Sequence, residues 1–255
     1  FYNWRKEMKI CVLIKQVPDK DSILKISENN QSLIQDNITW VTNESDNYAL
    51  EEALLLKEAH GGEVVVCTLG SESARQVLKD AMAKGADRSI FISDSQFESL
   101  DILTLSKIFS EALKNENFDI IFSGLQSDDI GNSQLGLLLS ELLNMSHASL
   151  VMETEKNSEN SIKVKRELEN GWFQWTTLKL PASISIQSGI NKPRYATLKG
   201  IMMVKNKPVQ ELNSQSFQNI NLENKVKIKK MYIPEKTKET VFLEGTPNEI
   251  AEKIT

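Results

Sequence analysis

The amino-acid sequence predicts an α/β protein built on a doubly wound, mostly parallel sheet, and three observations predict it. Short unbroken apolar runs alternate with segments of helical period along the first half of the chain. Most of these units are punctuated by a glycine or a small polar residue where a strand would hand over to a helix. Near residue 150 the alternation gives way to paired strands around an Asn-Gly turn.

In order, "KICVLIKQV" reads as a buried strand, and "NYALEEALLLKEAH" carries Leu50, Ala53, Leu54 and Leu56 as a helical stripe. "EVVVCTLG" is the second strand. Ser71 is expected to cap the helix "ESARQVLKDAMAKGA", which Gly85 ends. "RSIFIS" is a strand, "DILTLSKIFSEALKN" a helix, "FDIIFSGLQ" a strand and "GNSQLGLLLSELLN" a helix. Units of this kind wind right-handed on both faces of one sheet. Beyond them, "SIKVKRELENGWFQWTTLKLP" reads as a hairpin closed at Asn170-Gly171, and "ASISIQSG" as a further strand in an antiparallel ending to the sheet. From about residue 206 the chain turns polar and rich in Lys and Asn, with too few apolar residues for a core of its own. The expected organisation is therefore an extension over 1–7, an α/β domain over 8–205 and an extended C-terminal arm over 206–255. The arm needs a partner surface and ends in a helical segment, "TPNEIAEKIT".

Thirty basic and thirty-five acidic side chains give a net charge of −5, so no global attraction to nucleic acid or anionic membrane is expected. No run approaches the roughly 20 apolar residues of a membrane span. The opening "FYNWRKE", which precedes Met8, reads as neither signal nor transit peptide. Cys11 and Cys67 lie in apolar runs and read as free core thiols; His60 and His147 are the only histidines. No metal-ligand spacing, nucleophile elbow or carboxylate pair occurs. The chemistry points away from hydrolysis and towards binding or carrying.

The loop "SGLQSDDIGNSQLG" follows the fourth strand, at the carboxyl edge where open α/β sheets bind ligands. Its candidate residues are Gly124, Leu125, Gln126, Ser127, Asp128, Asp129, Ile130, Gly131, Asn132, Ser133, Gln134 and Leu135. The glycines let backbone pass close to a ligand, and the amides near Gly131, Asn132 and Ser133 are expected at a helix N-terminus, which favours phosphate. Asp128 and Asp129 suit capping or ribose hydroxyls, since a carboxylate accepts hydrogen bonds and donates none. The glycine spacing matches neither established phosphate fingerprint, so an ordinary capped strand–helix turn fits equally. A second loop on the same rim carries Asn43, Glu44, Ser45 and Asp46 in a capping pattern before a helix. With Leu13 and Leu69 it offers an apolar slot for a purine.

"KICVLIKQVPD", "ALEEALLLKE", "AMAKGADRSIFIS", "FSGLQSDD", "VKRELENG" and "GINKPRYATLKGIM" together resemble the small (beta) subunit of electron transfer flavoproteins. The likeness runs from Met8 nearly to the C-terminus and is closest to the branch from methylotrophic bacteria. It implies a Rossmann-like (adenine nucleotide hydrolase-like) sheet, a bacterial cytoplasmic location and a heterodimer with an alpha subunit. That alpha subunit carries most contacts to one FAD and is wrapped by the arm. It implies a structural AMP on Leu13, Asn43 to Asp46, Leu69 and the loop Gly124 to Leu135. It also implies a chain with no turnover of its own, with electrons expected from a primary dehydrogenase, of the trimethylamine dehydrogenase type in the similar branch, and passed to a quinone-linked oxidoreductase. A bifurcating relative with a second FAD in place of AMP, and a stand-alone adenine-nucleotide sensor, remain alternatives.

The resemblance also implies roles for 189–205, the family's recognition loop. The leucine matching Leu198 anchors in an apolar pocket of the dehydrogenase, and Pro193 and Gly200 are expected to keep it out of any regular element. Arg194 and Tyr195 belong to the same partner-binding segment and are expected either to pin the turn or to contact the partner, with pinning the favoured role for both. Glu167 matches a glutamate facing the mobile FAD domain. Trp172 and Trp175 are expected to pack the hairpin.

Overall fold

The computed structural model describes residues 7–97, 99–235 and 239–254, and residues 1–6 of the expected extension lie outside the described residues. Two compact units divide the chain, one formed by the residues up to Ile23 with Asp36–Lys227, the other by Leu24–Gln35 with the residues from Ile228 onward.

In the first unit, β1 (Met8–Leu13) leads through a short antiparallel pair, β2 (Gln16–Pro18) with β5 (Trp40–Thr42), into helix α1 (Glu44–His60). There follow β6 (Gly62–Leu69), α2 (Arg75–Lys84), β7 (Arg88–Ile92), α3 (Ile102–Leu113), β8 (Ile120–Gly124) and α4 (Leu135–Leu142). The strands β9 (Ser146–Ser158), β10 (Ser161–Glu167), β11 (Phe173–Lys179) and β12 (Ala182–Ile186) come next. Helix α5 (Leu198–Met203) and β13 (Val209–Leu212) complete the unit. In the second unit β3 (Lys25–Ile26) pairs antiparallel with β4 (Leu33–Ile34). There α6 (Pro247–Ile254) starts on a Thr246–Glu249 capping box, in which the Thr246 backbone N–H donates to the Glu249 carboxylate at 2.7 Å. No hydrophobic side chain is buried among the described residues of that unit.

The nine-stranded sheet runs β11-β10-β9-β12-β8-β1-β6-β7-β13. β1 pairs parallel with both β6 (Ile10 with Val64) and β8 (Ile10 with Ile120). Chain order therefore reverses direction at β1, a topological switch point. The core splits by strand alternation. Ile10, Val12, Val64, Val66, Ile120 and Phe122 face α1 and α2, whereas Cys11, Leu13, Val65, Cys67 and Ile121 face the α3 side. Both cysteines are buried and free, and burial raises both thiol pKa values.

Four expectations are corrected. Ala182–Ile186 does not extend an antiparallel edge; it inserts between β8 and β9 and runs parallel to both, as suits a strand buried at every residue. Residues 206–227, expected in the arm, contribute the parallel edge strand β13 beside β7 and the buried Phe217, whose ring meets Phe97 at 5.7 Å. Ser71 caps a single 3-10 turn without a side-chain bond, and α2 begins only at Arg75. Trp172 is mostly exposed instead of packed, and Trp175 lies under the Lys163 ammonium at 4.5 Å. The Asn170-Gly171 turn holds: both residues have positive φ and Glu169 O accepts from Trp172 N–H, as a type I′ turn requires.

Candidate functional site

The carboxyl ends of β1, β6 and β8 meet the start of α3 around a cavity of about 140 Å³. Its lining includes apolar residues, Leu13, Leu69, Leu100, Leu105 and Phe109 among them, and polar ones, Lys15, Asn43, Gln126, Ser127 and Ser133 among them. A cavity near 150 Å³ accommodates one small aromatic ring, whereas drug-sized ligands need about 300–1,000 Å³. The enclosed part therefore fits a single planar base, and anything attached to it lies at the open rim.

The rim is a joint between two loops. Asn43, expected as a capping side chain, makes no cap bond to its own helix. Its amide donates to Gln126 O at 2.9 Å, and its carbonyl oxygen accepts from the Asp128 N–H at 2.9 Å. Ser45 Oγ also donates to Gln126 O, at 2.7 Å. Glu44, Ser45 and Asp46 form the first turn of α1, not a lead-in to it. Asp46 is buried, and its two oxygens accept from the N–H groups of Gly124 at 2.9 Å and Lys15 at 2.8 Å. One carboxylate thus ties the ends of β1 and β8 to the helix start. Burial pushes its pKa up to about 7, against the pull of those backbone donors, Asn43 and Lys15. Gly124 is required here, because a Cβ would stand 2.1 Å from Ser45 Oγ.

The capping role foreseen for the paired aspartates falls to Asp128 across the joint: its carboxylate accepts from the first α1 amide, Glu44 N–H, at 3.1 Å. Asp129 pairs with Lys15, whose Nζ lies 2.7 Å from both carboxylate oxygens. The amide geometry differs from expectation. α4 starts at Leu135, after Gly131 and Ser133 in left-handed conformations, and Gly131 N–H donates to Ser127 O at 2.9 Å. Of the eighteen residues proposed for the nucleotide, Glu44, Ser45, Asp128, Asp129 and Gly131 hold the joint without lining the cavity; the other thirteen line it. Sequence reading missed Lys15 and the α3 wall. The signal for Lys15 was its position just past the carboxyl end of β1 at the switch point.

The segment 189–205 is fastened to α1 from its second turn onward, at Tyr48, Glu51, Glu52 and Glu58. Arg194 Nε and Nη2 donate to the buried Glu51 carboxylate, its backbone N–H does so at 3.0 Å, and Nη1 reaches Glu58. These bonds, to Glu58 first and then Glu51, hold Arg194 charged, and Arg194 in turn lowers the Glu58 pKa. Asn191 donates to Tyr48 O and the Glu52 carboxylate. Contrary to expectation, Leu198 lies in a regular element: Thr197 caps α5 by accepting from Gly200 N–H at 3.0 Å, and Pro193 ends too early to interfere. Gly200 touches α2 so closely that a Cβ would stand 2.1 Å from Ala83 O. Tyr195 does not pin the turn as expected: it is 91% exposed, and Leu198 is 76% exposed, with Ile201 and Met202 of the same helix α5 also exposed. Glu167, at the end of β10, accepts from Gln187 Nε2 at 3.0 Å. No group of three or more potential metal ligands occurs among the described residues, and no described helix is long and apolar enough to cross a membrane.

Fold and cleft together define a doubly wound α/β protein with an open cleft at its switch point. Residues 32–216 match the electron transfer flavoprotein domain family. The chain is 36% identical over 258 residues to an electron transfer flavoprotein subunit beta from Methylophilus methylotrophus, covering 97% of this chain and 96% of that one. It is 31% identical over 250 residues to the subunit beta from Bacillus subtilis (strain 168), with the same coverage. An acryloyl-CoA reductase electron transfer subunit gamma from Anaerotignum propionicum is 31% identical over 260 residues, again covering 97% and 96%. The chain belongs to the electron transfer flavoprotein family, of the beta-subunit type, and the methylotroph likeness agrees with the branch its sequence resembles. Its relatives are named as electron transfer flavoprotein subunits, that is, as electron carriers.

Proposed function

We propose that the chain is the beta subunit of a heterodimeric electron transfer flavoprotein whose cleft holds AMP as a structural nucleotide. One FAD, held mainly by an alpha subunit, supplies the redox chemistry of the pair. Electrons arrive from a primary dehydrogenase, of the trimethylamine or another methylamine-oxidising type, and leave to a quinone-linked oxidoreductase. The observation that carries this reading is the pairing of a base-sized cavity at the switch point with an exposed apolar tip on a pinned segment. The first suits a permanent nucleotide. The second suits a brief encounter, since one leucine leaving water contributes roughly 1.5–3 kcal/mol. Glu167 is then a contact for the swinging FAD domain, and an exposed ion pair of about 0–1 kcal/mol lets that domain move. The second unit, with no apolar side chain buried among its described residues, supports an arm laid on the alpha subunit.

The likeness to the acryloyl-CoA reductase subunit favours one alternative, a second FAD in the cleft of a bifurcating complex. Co-expression with an alpha subunit, followed by counting flavin and AMP released per heterodimer, decides between them. One FAD with one AMP supports the proposal. Two flavins without AMP, or a flavin-free homodimer indifferent to any alpha subunit, would refute it.

A further inference from the structure

Among the described residues, Lys15 is the only cationic side chain lining the cavity. Its backbone is fixed, because its N–H is bound by the buried Asp46, so only the side chain is free to rearrange. Its ammonium is shared between both oxygens of Asp129, while the approach to Ser127 Oγ, at 3.5 Å, is too long to engage the third proton strongly. The pair is partly open to water, with side chains 39% and 23% exposed, and pairs of that exposure are weak. Asp129 is also held by its neighbour's amide, Ile130 N–H, at 2.9 Å, so it stays in place whether or not the ammonium remains on it.

These facts describe a cation parked on a weak partner at the rim of a base-sized slot. We infer that Lys15 and Asp129 form an exchangeable charge gate: the ammonium turns from Asp129 to the phosphate of a bound nucleoside monophosphate. The inference rests on the nucleotide reading above and adds to it how the ligand is selected. A phosphate dianion offers three strong acceptors and outcompetes one carboxylate for a lysine. Asp129 acts in the opposite sense, as competitor for the cation and as a repelling charge, and Asp128 adds to that repulsion. With one cation against two carboxylates the rim already carries a net charge of −1, so every phosphate beyond the one that Lys15 engages adds uncompensated negative charge. Longer phosphate chains bring more charge than the rim can neutralise, so the gate favours mono- over di- and triphosphates.

The two members of the gate should therefore act with opposite signs, which a purely structural ion pair would not do. Calorimetric titration of the nucleotide-stripped full chain with AMP and with adenosine tests this. Wild type should bind AMP at least tenfold more tightly than adenosine. Lys15→Met should lower AMP affinity tenfold or more and leave adenosine affinity alone, with Lys15→Arg restoring most of the loss. Asp129→Asn should raise AMP affinity severalfold, again without effect on adenosine. Equal losses for AMP and adenosine in Lys15→Met, or weaker AMP binding in Asp129→Asn, would overturn the gate while leaving a nucleotide cleft in place. Wild type binding neither ligand would overturn the gate together with the reading beneath it.

Discussion

Helix α1 serves two regions that solve opposite problems. At its first turn Asn43, Ser45 and Asp46 turn inward and bind backbone of the β1 and β8 loops, so that nearly every polar atom of the joint has a partner. Further along, Glu51 and Glu58 grip Arg194, and the segment so held presents Tyr195 and Leu198 to solvent. The first region satisfies itself and leaves a slot. The second fixes its backbone and leaves its apolar side chains uncovered. Rigidity is common to both, because ordering a loop in advance lowers the entropy lost when something docks. The difference lies in what remains unsatisfied, and that is where a ligand or a partner is to be sought.

The sharpest way to break the first region is through pH. Asp46 has a folded pKa of about 7, above its unfolded value. Between about pH 4 and pH 7 the folded state therefore holds a proton that the unfolded chain releases, and stability falls as pH rises. The slope from this group is at most about 1.4 kcal/mol per pH unit. Denaturant titrations across that window should show it in the wild type and lose it in Asp46→Asn. Next in size, Gly124→Val should lower stability by about 3 kcal/mol, because the joint has no room for a Cβ, and lower Tm by roughly 6–12 °C. Arg194→Ala leaves the buried Glu51 unpaired and should cost about 2 kcal/mol while also slowing reduction by the donor dehydrogenase. Arg194→Lys should recover the charge and not the fork, and so rescue only part of both effects. Leu198→Ala separates the regions most cleanly. Stability should change by less than about 0.5 kcal/mol and FAD content should hold, while donor-dependent reduction slows roughly tenfold. Unchanged reduction kinetics would remove the anchor role.

The parallel strands were legible because burial on both faces writes itself as unbroken apolar runs, such as Cys11 to Ile14 and Val64 to Cys67. Spatial order was less legible. The run "ASISI" states that the strand is buried but not which neighbours it separates, and the hairpin before it suggested an antiparallel edge. β13 escaped notice because four residues at a sheet edge, three of them exposed, carry almost no pattern. In the cleft, the loop Gly124 to Leu135 announced itself by glycines and its place after a strand, whereas the wall given by Leu105 and Phe109 is an ordinary helical i, i+4 pair. Nothing local distinguishes such a pair from core. The division of labour inside the loop, with Asp128 capping a distant helix and Asp129 holding Lys15, depends on contacts more than eighty residues apart in sequence.

Because α1 is one continuous 17-residue helix, it also works as a ruler. Asp46 lies five positions before Glu51 and twelve before Glu58, the two grips on Arg194, which at the rise of an α-helix is about 7.5 Å and about 18 Å. The spacing between base slot and docking tip is thereby set by helical pitch, not by loop length. Insertions in the surface excursion between β2 and β5 leave that gauge untouched, whereas a single residue added within the helix would rotate one grip about 100° away from the other.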